Sequence, residues 1–188
     1  MKTGLKTLWL LFAVGLFFAC GSDEGARQRA PAQPPLSCPY KQGAIQLSLQ
    51  ADSMLNLYDS VPHTLYICFY QLKDPNAFKL KSKYEDGLYE LLECSLFDGA
   101  VTNFERITVQ PGKDQSLMMD RAEGSNYFAM VAGYYGMEEN RIVRFMEIPV
   151  DTKTKILTPW KKYQVCLDLN LEITLGPQQI ERIEDLEK

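Results

Sequence analysis

Residues 163–175 read YQVCLDLNLEITL, and this stretch decides the fold class. Tyr163, Val165, Leu167, Leu169, Leu171, Ile173 and Leu175 alternate with Gln164, Cys166, Asp168, Asn170, Glu172 and Thr174. A period of two puts apolar side chains on one face of a strand and polar ones on the other, so one face packs on a second layer while the other stays wet. Gly176-Pro177 ends the strand. Toward the N-terminus the alternation returns at Ile45, Leu47 and Leu49, interleaved with Gln46, Ser48 and Gln50. Leu65 to Leu72 (LYICFYQL) is a second strand, rich in aromatic and branched residues.

Further strands are expected around Ile107 and Val109, around Leu117 and Met119, at Tyr127 to Tyr135 and at Arg141 to Val150, with turns at Pro111-Gly112 and Glu123 to Asn126. One helical excursion interrupts them at about 75–98. Asp74-Pro75 has the form of a helix start, and Tyr84, Leu88, Leu91, Leu92 and Leu96 recur at helical spacing. About eight short strands with one helical insertion predict an all-β domain, a two-sheet β-sandwich over residues 38–177. The tail, 178–188, sets Ile180, Ile183 and Leu186 among acids and reads as a short amphipathic helix or a frayed end.

The chain has 188 residues, 46% hydrophobic and 23% charged, enough for one globular domain. Its N-terminus has the form of a leader: Lys2 and Lys6 precede the uncharged run Thr7 to Ala19, which is too short to span a bilayer as a helix. A small residue directly before Cys20 resembles a bacterial lipoprotein signal, so residues 1–19 are expected to be removed and Cys20 to carry the lipid. The second mature position is not Asp, which favours the outer membrane, periplasmic face. Residues 20–37, with Pro31, Pro34 and Pro35 and one large apolar residue, Leu36, form a leash spanning roughly 20 to 25 Å on average.

Without the leader the chain counts 18 basic against 24 acidic residues, and nothing in that total seeks anionic lipid or nucleic acid. Four other cysteines, Cys38, Cys68, Cys94 and Cys166, form an even set in a compartment where disulfides persist. Three full pairings are possible; strand alternation turns Cys68 and Cys166 both outward, making them candidates to pair if their strands are neighbours. No pair has CxxC spacing, which argues against a zinc or thioredoxin-like site.

The long segment from Ala51 to His63 is rich in turn formers yet carries Met54, Leu55, Leu57 and Tyr58 beside Asn56 and Asp59. Apolar side chains on a loop either fold back to cap the core or meet a partner. Catalysis is poorly supported. His63 has no nucleophile signature elsewhere in the chain, and Glu138-Glu139 and Glu184-Asp185 read as solvated charges. No catalytic residue, metal site, cofactor or small-molecule substrate is expected. Ala132-Gly133-Tyr134-Tyr135-Gly136 has the composition of a pocket lining, although a strand entering a turn also accounts for it.

The order of these features resembles the type VI secretion outer-membrane lipoproteins, the TssJ family. A lipoprotein Cys and Pro-rich leash precede a first strand running into Ala51-Asp52 and Leu55-Asn56. Pro62, a strand ending Tyr70-Gln71-Leu72 and Phe78 opening a helical insertion follow. Val109-Gln110-Pro111-Gly112 before Leu117, and Val131-Ala132 within Tyr127 to Tyr135, complete the order. Val143-Arg144 stands where many members have Trp-Arg, so no role is carried over there. The resemblance implies a transthyretin-like sandwich under the outer membrane. It also implies a partner, the periplasmic domain of the inner-membrane subunit TssM, docking on the loop between the first two strands. The partner-binding residues expected are Met54, Leu55, Asn56, Leu57, Tyr58 and Asp59; the alternative is a periplasmic ligand- or glycan-binding lipoprotein.

Overall fold

The computed structural model describes residues 37–155 and 158–186, so the leader, Cys20 and the leash before Ser37 lie outside the described residues. The elements are β1 (Lys41–Ala51), β2 (Leu65–Leu72), α1 (Asn76–Ser82), α2 (Glu85–Leu92), β3 (Val101–Val109), β4 (Gln115–Arg121), β5 (Tyr127–Ala132), α3 (Glu139–Ile142), β6 (Val143–Glu147), β7 (Val150–Lys155), β8 (Thr158–Cys166), β9 (Leu169–Leu175) and β10 (Ile180–Asp185). Two four-stranded sheets, ordered β10-β9-β1-β4 and β3-β2-β5-β6, pack as a sandwich, and β7 pairs with β8 in a separate ribbon. All these elements and both disulfides lie between residues 38 and 186, so the domain is complete without the leash.

The first sheet follows its alternation. Ile45, Leu47 and Leu49 of β1 and Leu169, Leu171, Ile173 and Leu175 of β9 are buried, while Gln46, Gln50 and Glu172 face away from the core. β1 runs parallel to β9, with Ile45 opposite Leu169 and Ala51 opposite Leu175, and antiparallel to β4.

The second sheet is covered on both faces, which explains why seven of the eight residues of β2 are buried. Phe69 and Gln71 point into the sandwich, and the Gln71 amide reaches across it. Its Nε2 donates to the Asp120 carbonyl (2.7 Å), and its Oε1 accepts from the Ala122 N–H (2.8 Å) and the Ser125 hydroxyl (3.1 Å). Cys68 and Tyr70 point the other way, under the helices: Cys68 is bonded to Cys94, and the Tyr70 hydroxyl donates to the Leu91 carbonyl at 2.7 Å. Burial pushes the Tyr70 pKa up to about 12. The expected helix is two short ones, because α1 must turn at Lys83-Tyr84 to fold α2 back. The turn is so close that a Cβ on Gly87 would lie 2.1 Å from the Lys81 carbonyl oxygen.

Three expectations are corrected. Cys68 does not pair with Cys166, because β2 and β8 are not neighbours; the bridges are Cys38–Cys166 and Cys68–Cys94. The alternating stretch 163–175 is two strands. The chain breaks at Leu167-Asp168, where the Leu167 carbonyl accepts from Arg121 (2.8 Å) and Asp168 pairs with Lys41 (2.7 Å). The tail is a strand and belongs to the domain: the turn at 176–179 returns β10 antiparallel to β9, with Ile183 opposite Ile173. Spacing of three between Ile180 and Ile183 imitates a helix, but the neighbouring edge of β9 supplies hydrogen-bond partners that a lone helix cannot offset.

At about 3.3 Å per residue, the eleven residues of β1 separate two ends of the domain by about 33 Å. At its start lie Cys38, bonded to Cys166 at the foot of the ribbon, and the Gly124 N–H, which donates to the Cys38 carbonyl at 2.7 Å. At its finish lie the 51–63 loop, the turn at Gly112 and the turn after β9.

Candidate functional site

The loop between β1 and β2 is long but tied down at most of its turns. The Asp52 N–H donates to the Leu175 carbonyl (2.9 Å), the Asp52 carbonyl accepts from Leu55 and Gly112 (both 3.0 Å), and the Leu57 N–H donates to the Pro177 carbonyl (2.7 Å). Asp52 Oδ1 accepts from the Met54 N–H at 2.6 Å, an Asx turn. Its tip is a miniature hairpin. Tyr58 and Val61 exchange both backbone bonds (3.0 and 2.9 Å) around Asp59 and Ser60, whose φ values of 48° and 63° are those of a primed turn.

The six expected partner-binding residues therefore divide. Leu55 is fully buried and plugs the end of the core, and Asn56 is 4% exposed. Asn56 holds φ at 49°, donates from Nδ2 to the Thr64 carbonyl and accepts from the Tyr135 N–H, both at 3.1 Å, so it stitches the loop to the strand after it and to the end of β5. Met54 (40%), Tyr58 (50%) and Asp59 are exposed, and Leu57 is half-buried. Alternate anchoring and exposure give a rigid loop with an apolar outer surface.

Residues outside the loop complete this surface. Tyr135 stacks on Tyr58 with centroids 4.3 Å apart, and the His63 ring meets Tyr135 edge-on at 5.2 Å. A cleft of about 290 Å³ opens beside the stack, lined by Leu57, Tyr58, Tyr135, Arg141 and Pro177 among others. Arg141 is half-exposed and ion-paired to Glu138 at 3.1 Å. Tyr134 turns inward and donates to the Gln179 carbonyl at 2.8 Å; burial, reinforced by Glu181, pushes its pKa far above that of a free phenol. The Arg144 guanidinium, lowered in pKa by burial, donates to the Ile180 carbonyl and fixes β6 to β10.

This surface is apolar, aromatic and shallow, the composition of an interface core. His63 Nδ1 is buried without a hydrogen-bond partner among the described residues, and its ring packs edge-on against Tyr135. No grouping of three or more His, Cys, Asp or Glu suited to a metal occurs among the described residues, and no helix among them is long and apolar enough to cross a membrane. Sequence reasoning flagged Tyr135 only as part of a possible pocket lining and missed Arg141 and Pro177. The aromatic pair followed by Gly136 was the available signal for the first; topology alone brings in the other two.

The domain is similar in fold to a chain 97% covered by it in the crystal structure of the T6SS lipoprotein TssJ1 from Pseudomonas aeruginosa, with 19% identity over 81% of this chain and a TM-score of 0.57. It is similar to Serratia marcescens Lip, a membrane bound component of the type VI secretion system, with 16% identity, 77% and 97% coverage and a TM-score of 0.56. A third similar chain occurs in a structure described as the T6SS protein TssM C-terminal domain from EAEC, with 14% identity, 76% and 98% coverage and a TM-score of 0.54. No curated protein matches. The family model described as type VI secretion lipoprotein, VasD, EvfM, TssJ matches residues 43–177, nearly the whole sandwich, and the chain belongs to that family.

Proposed function

We propose that this type VI secretion lipoprotein is held at the periplasmic face of the outer membrane through Cys20 and binds the periplasmic domain of a TssM-like inner-membrane subunit through the 51–63 loop. The carrying observation is the exposure of Met54 and Tyr58, with Leu57 half-buried beside them, on a loop whose frame is buried: Leu55 is fully covered and Asn56 nearly so. An interface presented on a rigid frame loses little conformational entropy on binding. The 290 Å³ cleft beside Tyr58 has room for one large apolar side chain of the partner.

The role is attachment, with no chemical step. Two linkages act in series, lipid at one end and protein at the other, and the leash of residues 20–37 lets both be satisfied together. The test is the affinity of the domain, residues 37–188, for the periplasmic C-terminal region of the TssM-like protein of the same organism, with and without L57A/Y58A. Saturable glycan binding with no protein binding would transfer the cleft to a ligand-binding lipoprotein.

A further inference from the structure

The total charge of the domain conceals a separation. The segment 150–166, which forms β7 and β8, contains Lys153, Lys155, Lys161 and Lys162 against one acid, Asp151, whereas the rest of residues 38–188 counts 12 basic against 21 acidic residues. The ribbon pairs only with itself, Val150 opposite Cys166 and Lys153 opposite Tyr163, and at its foot Lys41 and Arg121 line one pocket with Gln164 to Cys166. The side chains of Lys153 and Lys162 are exposed, Tyr163 is 43% exposed, and Trp160 also belongs to β8. Lysine with Trp and Tyr is the composition of a headgroup-level contact.

Position supports the same assignment. Cys166, the last residue of the ribbon, is bonded to Cys38, the residue at which the leash enters the domain. The ribbon is therefore covalently fixed at the tether end, about 33 Å along β1 from the docking loop. A leash spanning roughly 20 to 25 Å keeps that end close to the bilayer, where weak contacts gain from high effective concentration. A free two-stranded ribbon is marginally stable alone, and one end of this one is pinned by the disulfide.

We propose that the β7–β8 ribbon is a second membrane contact that binds the headgroups of anionic phospholipids and sets the docking loop facing away from the bilayer. The orientation rests on Cys20 being the lipid attachment; the headgroup contact does not, and an unacylated domain tests it alone. The residues 37–188 domain is floated with phosphatidylethanolamine–phosphatidylglycerol vesicles and with pure phosphatidylcholine vesicles. Binding is expected only to the first, declining as salt rises. Each lysine near an anionic surface is worth roughly a fivefold factor, so K153Q/K162Q lowers partitioning roughly 25-fold, and K153R/K162R keeps it. The Gln variant keeps the wild-type melting temperature and circular dichroism spectrum, which shows it folded. Equal partitioning of wild type and K153Q/K162Q, no binding to the anionic vesicles, or self-association of the domain through its acidic body in place of lipid binding would each overturn the proposal.

Discussion

The two ends of the sandwich are built by different means. At the loop end, order comes from backbone hydrogen bonds, three non-glycine residues at positive φ and one buried leucine, and two tyrosines stack on the surface. At the tether end, order comes from a disulfide and charged groups. Arg121, 2% exposed, donates to the carbonyls of Pro39 (3.2 Å) and Leu167 (2.8 Å), and Asp120 accepts from the Tyr40 hydroxyl (2.7 Å) and the Gly43 N–H (2.8 Å). Those two bonds hold the Asp120 carboxyl below its usual pKa. Under the proposed attachments, the end joined to the lipid gains from a covalent tie, whereas the end that meets a protein gains from an ordered apolar surface.

The largest effect should come from cutting the covalent tie. Cys38–Cys166 closes 128 residues and Cys68–Cys94 closes 26, so chain entropy predicts losses of roughly 5 and roughly 3.5 kcal/mol for the paired serine variants. Urea denaturation of C38S/C166S and C68S/C94S compares them; the reverse order would mean that the helical cover, not the tether end, is the more dependent on its bridge. Next is Leu55→Ala, which empties a fully buried site and should cost about 2 to 5 kcal/mol by the same measurement. A cost under about 1 kcal/mol would show that the loop is not part of the core.

Leu57→Ala with Tyr58→Ala sharpens the contrast inside the loop. Loss of an interface anchor is worth about 2 kcal/mol, roughly 30-fold in affinity, while thermal stability should move by less than about 1 kcal/mol. Calorimetric titration with the TssM-like domain, beside a melting curve, separates the two. The smallest expected effect is alkaline. Tyr70 has its folded pKa raised to about 12, so its contribution is complete below pH 10 and is lost as pH rises through 12. A tyrosinate absorbance titration should show a late step that Tyr70→Phe removes in part, the remainder belonging to Tyr134.

Legibility in the sequence followed solvent. β1 and β9 have one wet face, so their alternation gave the core residues of both, but it ran on through Tyr163 and Leu167, which are exposed, and hid the break between β8 and β9. β2 is covered on both faces and shows no alternation, so its assignment rested on residue type, and the covered side of Cys68 was read as outward. The tail was misread because its partner edge is non-local information: nothing in 178–188 states that β9 lies alongside. The loop was recognisable from misplaced apolar residues, but the division between Leu55, which plugs the core, and Tyr58, which leans on Tyr135, depends on a turn 77 positions further along the chain. The ribbon was missed for a related reason: its charge is visible only when its pairing separates it from the acidic body.

The central claim, that the loop end binds a TssM-like subunit while the tether end does not, is tested most directly by the affinity of the folded 37–188 domain for that subunit's periplasmic region. The account predicts micromolar or tighter binding, weakened roughly 30-fold by L57A/Y58A and unchanged by K153Q/K162Q. No binding by a domain shown to be folded, or binding that L57A/Y58A leaves intact and K153Q/K162Q abolishes, would contradict it.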